Sequence, residues 1–440
     1  MSSPEAKRGR LLTAFLSLLT FFSLTGLVAL VAWGWGAALP DWQGPASPGV
    51  KEAVPVAAQA TATAGTMEAA PAAGLASPVV ETQAAPVQAA AAAAPDEEGP
   101  YSVGWYNTEY RVEPYGVYRA SIYYPARSDA RLAAPDALGA PYPGIVASNG
   151  YYGADWNITW VPQQLASHGY VALCFTPPAG GTLNTWSWSG LVQSWDTTQW
   201  AEGFKAGIDK LKEQNGLEGS LIQGLLDEET FGGIGLSMGG GGVLEAAGTG
   251  AQFDAVVGLA PAYSDAEAAD GVCQLLAQTG NARAGDIPGW LCGLLDAVDV
   301  LGRVDGVFAD VRTAAGTISV PAQVQVGSVD AFIPPPWVQA AYEDIPGSTS
   351  KSYVEIGGGS HAGFIDAWVL PFGDGIERAL GGGIDIDVQE QHRVSQKYFV
   401  SWFNYYLKGQ TEYGTYLFGA EAQADIASGV LSQLETSVSG

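Results

Sequence analysis

One short stretch constrains this chain more than any other. Residues 231–248 read FGGIGLSMGGGGVLEAAG: an apolar run, a serine framed by glycines, and a run of helical character. A strand that turns sharply at Ser237 and continues into a helix needs small residues on both flanks. Side chains at Gly235 or Gly239 would collide with neighbouring elements. The turn lifts the serine Oγ above the sheet and aims the Met238 N–H at whatever lies beside it, helped by the helix N-terminus.

The rest of the chain supplies the sheet that such a turn requires. YSVGWYNTEYRV and GVYRASIYYP, rich in Tyr and Val, predict an opening hairpin. PYPGIVAS (Pro141–Ser148) and GYVALCF (Gly169–Phe175) are short apolar runs of the kind that become buried parallel strands. FDAVVGLAP, SVPAQVQVGS and KSYVEIGG continue the series. ITWVPQQLASHG and TQWAEGFKAGIDKLKEQNG carry apolar residues at helical spacing, and a further helix is expected in VQEQHRVSQKYFVSWFNYYLKG. The alternation predicts an α/β fold with a doubly wound, mostly parallel sheet. Its catalytic part is expected over 99–420, with 421–440 as a C-terminal tail.

A serine in this setting acts as a nucleophile only with a base and an acid. The chain has 3 histidines. His168 closes a helix in LASHGY, and His392 is expected to face solvent on the last helix. His361, in the glycine-rich loop GGGSHAGF after the strand YVEI, stands where a base belongs. Asp330 follows the strand AQVQVGS, and the order Ser237, Asp330, His361 is the one this turn motif predicts. Asp366 is the alternative acid. The loop Asn149-Gly150-Tyr151-Tyr152-Gly153 follows an early strand and predicts Tyr151 N–H as the second oxyanion donor beside Met238. Tyr151 and Tyr152 would also form part of the acyl site. No cofactor or metal is called for.

Lys7, Arg8 and Arg10 precede an uncharged run from Leu11 to Trp33, long enough for a membrane-crossing helix. Residues 1–38 therefore read as a signal anchor, or as a signal peptide cleaved after the small residues near Ala38. Either way the remainder is expected outside the cytoplasm, tethered or secreted. An Ala- and Pro-rich linker is expected over 39–98. Asp plus Glu number 45 against 19 Lys plus Arg, a formal net charge of −26. A surface that acidic repels nucleic acid, which is excluded as a partner. The chain is expected to act as a monomer.

The segments GLSMGGGG (Gly235–Gly242), LASHGYVA (Leu165–Ala172), NGY (Asn149–Tyr151), VGSVDAFIPP and EIGGGSHAGF give the chain a family likeness. It resembles the polyester hydrolase and cutinase branch of the α/β-hydrolases, which includes PET hydrolases and is related to dienelactone hydrolases and platelet-activating-factor acetylhydrolases. The resemblance covers about Tyr101 to Phe418. It implies the α/β-hydrolase fold, a triad of Ser237, Asp330 and His361, and an oxyanion hole of Tyr151 and Met238. It sets Tyr263 where the family usually has a substrate-clamping tryptophan.

Two departures stand out. The family's acidic residue after the GYVALCF-type strand is replaced by TPPAGGTLNTWSWSG, where Trp186 makes the loop aromatic and, with Tyr263, is expected to contact the substrate. The interval between Ser237 and Asp330 is far longer than usual, the excess lying in about 265–316. That insertion is expected to form a helical cap or lid, in which Cys273 and Cys292 either form a disulfide or remain free thiols. The implied activity is serine carboxylic-ester hydrolysis of small-molecule or polymer esters. The alternatives are a lipase or phospholipid esterase with the same triad, and a membrane-tethered module that binds without catalysis.

Overall fold

The computed structural model describes residues 93–150, 153, 155–178, 197–263, 310–366, 374–375, 377–378 and 382–438. The chain divides into two units, Met1–Val50 and Lys51–Gly440, and every described residue belongs to the second. The apolar run Leu11–Trp33, most of the expected linker, Tyr151, Tyr152, Trp186, Cys273 and Cys292 lie outside the described residues. Among the described residues no helix is long and apolar enough to cross a membrane.

The hairpin forms from β1 (Ser102–Val112) and β2 (Gly116–Ala126), followed by the two-residue β3 (Ala130–Arg131). The buried series comprises β4 (Tyr142–Ser148), β5 (Val171–Thr176), β6 (Leu226–Leu236), β7 (Ala255–Leu259), β8 (Ala322–Gly327) and β9 (Lys351–Ile356). A last strand, β10 (Leu431–Ser437), completes a 10-stranded sheet in the order β10-β9-β8-β7-β6-β4-β5-β2-β1-β3. Neighbours from β5 through β4, β6, β7 and β8 to β9 are parallel, while β1–β2, β2–β5 and β9–β10 are antiparallel. Every residue of β7 and β8 is buried, as expected of strands covered on both faces.

The helices are α1 (Trp160–Ser167), α2 (Thr198–Gly216), α3 (Met238–Gly248), α4 (Pro335–Asp344), α5 (Val388–Leu407), α6 (Gly414–Leu417) and α7 (Ala420–Ser428). In α2, Trp200, Phe204, Ile208 and Leu211 form the buried stripe, recurring at helical spacing. The two faces of the sheet can be read from adjacent glycines in β6. A Cβ on Gly232 would meet Phe403 and Leu407 of α5, whereas one on Gly233 would meet Val243 of α3. Successive strand residues point to opposite faces, so α5 and α3 cover opposite sides. α2 packs beside α3, and α1 beside α5.

Two regions depart from the expected boundaries. Residues 421–440, read as a tail, hold most of α7 and the strand β10, which pairs antiparallel with β9. At the other end, the stretch before Gly99 is docked. Asp96 pairs with Arg393 at 2.5 Å, and the Pro95 and Glu97 carbonyls accept from Gln164. Residues 310–315, the end of the expected insertion, are helical.

Candidate active site

Parallel strands in register bring their C-terminal ends to one edge of the sheet. Leu236 of β6 pairs with Leu259 of β7, Leu259 with Gln325 of β8, and Gly327 of β8 with Ile356 of β9. Ser237, Asp330 and His361 each follow one of these ends, so the topology brings all three to the same edge.

Ser237 has φ 56° and ψ −117°, a conformation that a residue with a side chain rarely adopts. The surroundings impose it. The Ser237 N–H donates to Leu259 O at 2.9 Å, and the Ser237 carbonyl accepts from Gly241 at 2.9 Å and from Ala262 at 2.7 Å. The flanking glycines are sterically required. A Cβ on Gly235 would lie 2.1 Å from Gly239 O, and one on Gly239 would lie 2.5 Å from Asn149 O. Met238 opens α3, so its N–H belongs to the first turn, where no intrahelical carbonyl takes it.

The loop after β4 lies against this turn. A Cβ on Gly150 would sit 2.5 Å from Ser237 Cβ, so only glycine lets the backbone approach so closely. The Asn149 carbonyl is held by the Trp200 indole N–H at 2.9 Å. Trp200 and Trp160 are both buried in the packing.

The candidate acid and base are joined directly. His361 Nδ1 donates to Asp330 Oδ2 at 2.8 Å. Asp330, itself buried, takes the Phe332 and Ile333 N–H groups on Oδ1 at 2.9 and 2.7 Å. These bonds fix the carboxylate so that Oδ2 faces the imidazole. The Phe332 ring stands edge-on to His361 with centroids 5.4 Å apart. Burial pulls the His361 pKa down, but the Asp330 charge, its hydrogen bond and the Glu377 charge outweigh it. The net effect lies above the ordinary value of 6.5. A neutral imidazole held by a buried carboxylate is the form that a general base requires.

A model for a PET hydrolase-like family matches residues 76–273. That span includes Asn149, Gly150 and Ser237 and ends before Asp330 and His361. Cutinase 1 of Thermobifida cellulosilytica is 26% identical over 163 residues, 37% of this chain and 52% of that protein. The cutinase of Thermobifida fusca (strain YX) is 26% identical over the same length, covering 45% of that protein. The chain resembles the cutinase and PET hydrolase-like branch of the α/β-hydrolases. It spans about half the length of the curated relatives it matches.

Other residues singled out in the sequence take different places. Asp366 is not the acid on His361: it receives Thr159 N–H at 2.9 Å, and burial pushes its pKa up to about 6. Tyr263 is fully buried, and its hydroxyl donates to the Asp344 carboxylate at the end of α4. His168 is buried at the end of α1. His392, expected to face solvent, is buried and stacked on Trp160 with centroids 4.1 Å apart; tertiary packing covers nearly the whole circumference of α5.

One buried group beside the candidate base has no sequence signal at all. Glu377 is fully buried and receives N–H groups from His361, Ala362 and Ala331 at 2.9, 2.9 and 3.1 Å. Nothing in GDGIERALGG marks the glutamate as different from a surface residue, because its partners are backbone groups far away in sequence.

Proposed function

We propose that this chain is a serine carboxylic-ester hydrolase that works through an acyl-enzyme outside the cytoplasm. The observation that carries the reading is the His361–Asp330 hydrogen bond on the same sheet edge as a conformationally constrained Ser237. In this mechanism His361 takes the Ser237 proton as Oγ attacks the ester carbonyl. Asp330 keeps Nδ1 protonated, leaving Nε2 free to accept, and stabilises the imidazolium. The Met238 N–H, with that of Tyr151, receives the negative charge that develops on the carbonyl oxygen. His361 then gives its proton to the leaving alcohol and activates water to release the acid. The cutinase and PET hydrolase-like likeness favours esters or polyesters as substrates. The basic flank and apolar run at residues 7–33 favour an extracytoplasmic, membrane-anchored or secreted form.

The test is hydrolysis of p-nitrophenyl esters, from acetyl to palmitoyl, by the full chain and its Ser237→Ala variant. Activity that disappears in the variant is the expected result. A preference for long acyl groups would shift the assignment towards a lipase. A folded protein that hydrolyses none of them and takes no fluorophosphonate label would overturn the esterase reading in favour of a binding module.

A further inference from the structure

Two carboxylates are buried beside one imidazole here, and the triad uses only one of them. Burying a second negative charge is costly unless donors surround it. Glu377 has such donors: Oε1 accepts from His361 N–H and Ala331 N–H, and Oε2 accepts from Ala362 N–H. Both oxygens act only as acceptors in this network, the role of the ionised form. The donors come from two loops. Ala331 follows the acid, while His361 and Ala362 are the base and its neighbour.

We infer that Glu377 is a positioning residue for the catalytic pair: its carboxylate ties the Asp330 loop to the His361 loop, and its charge supports the imidazolium. This rests on the triad reading above. If the site needed only the tie, a neutral acceptor would meet most of it. A carboxylate adds attraction for the proton that His361 must take from Ser237. The charged groups facing His361 are Asp330 and Glu377. Those facing Glu377 are Asp330, which raises its pKa, and His361, which lowers it. The neighbouring Arg378 is turned outward to Asp374 at 2.7 Å. Burial contributes most to raising the Glu377 pKa, a cost of keeping the glutamate ionised that its three N–H donors and the His361 interaction offset.

The experiment compares the wild-type chain with Glu377→Gln by NMR titration of histidine ring carbons, alongside kcat and KM for a short p-nitrophenyl ester. Burial holds the other two histidines, His168 and His392, at about 4, so only His361 titrates near neutrality. Gln keeps the volume and one accepting oxygen but removes the charge. The His361 midpoint is expected to move to lower pH, and kcat to fall roughly tenfold with KM little changed. An unchanged midpoint in a folded variant would overturn the inference. Should Glu377→Gln fail to fold, Glu377→Asp retains the charge. Its midpoint is expected to stay above the ordinary imidazole value, and a fall to that value would overturn the inference. The titration needs no turnover. A midpoint shift in a chain without esterase activity would therefore sink the proposed function and leave the electrostatic tie standing.

Discussion

At the scale of single residues, the candidate site combines a strained serine, the proposed nucleophile, with a histidine, the proposed base, whose pKa is raised. A residue with a side chain at positive φ costs on the order of 1–3 kcal/mol, and the bonds to Leu259, Gly241 and Ala262 hold Ser237 there. The base sets the pH dependence. In the proposed mechanism only neutral His361 can accept the serine proton, and Asp330 and Glu377 keep its pKa above 6.5. Activity is therefore present on the alkaline side and lost as pH falls through a midpoint higher than that of an ordinary histidine. A kcat/KM profile checks this. Asp330→Asn removes both the charge and the acceptor that select the tautomer. Its expected cost is roughly 10³–10⁴ in kcat, with the remaining activity titrating at lower pH. A variant retaining most of its kcat would take Asp330 out of the mechanism.

At the scale of elements, legibility followed the physical origin of each signal. The parallel strands were readable because they are buried on both faces and carry continuous apolar runs. The helix over 198–216 was readable because its Trp200, Phe204, Ile208 and Leu211 stripe repeats at the helical period. The strand β10 was not, since LSQLETS is largely polar and its place depends on backbone pairing with β9. The alternating elements and the Gly-x-Ser-x-Gly turn gave Ser237, Asp330 and His361 as candidates. No periodicity encodes Glu377, which acts on backbone N–H groups. Trp200 occupies an intermediate position: its burial was legible, but its hydrogen bond to the Asn149 carbonyl was not. That bond links α2 to the loop pressed against Ser237. Trp200→Phe keeps an aromatic ring and removes the donor, leaving a buried carbonyl without it. About 1–3 kcal/mol of stability should be lost, with a several-fold fall in kcat as the loop relaxes. Denaturant melts and saturation kinetics would register both, and an unchanged kcat would detach this loop from catalysis.

At the scale of the whole molecule, net charge and buried histidines oppose each other. The chain carries a formal charge of −26, and its self-repulsion eases as carboxylates gain protons, so acidification alone relieves one destabilising effect. Asp366 works in the same direction. Its folded pKa of about 6 lies above the ordinary carboxylate value, so its contribution becomes less favourable as pH rises and improves as pH falls. The histidines work against this. His392 stacks on Trp160, and among the described residues its Nε2 is buried without a hydrogen-bond partner; burial opposes its protonation more than the backbone of Ile365 and Gly363 and the Asp387 charge favour it. Burial lowers His392 and His168 to about 4. An unfolded histidine takes its proton near 6.5. Each of these two histidines therefore contributes stability that is full above that value and is lost as pH falls towards 4, on the order of 3 kcal/mol apiece. A single stability curve mixes these opposing effects, whereas a difference curve separates them. His392→Phe preserves the stack on Trp160 and cannot titrate. The stability advantage of the wild-type chain over this variant should be constant above about pH 6.5 and shrink by roughly 3 kcal/mol towards pH 4. Urea unfolding across that range measures the difference, and a gap that stays constant would mean that His392 accepts its proton in the folded state as readily as in the unfolded one.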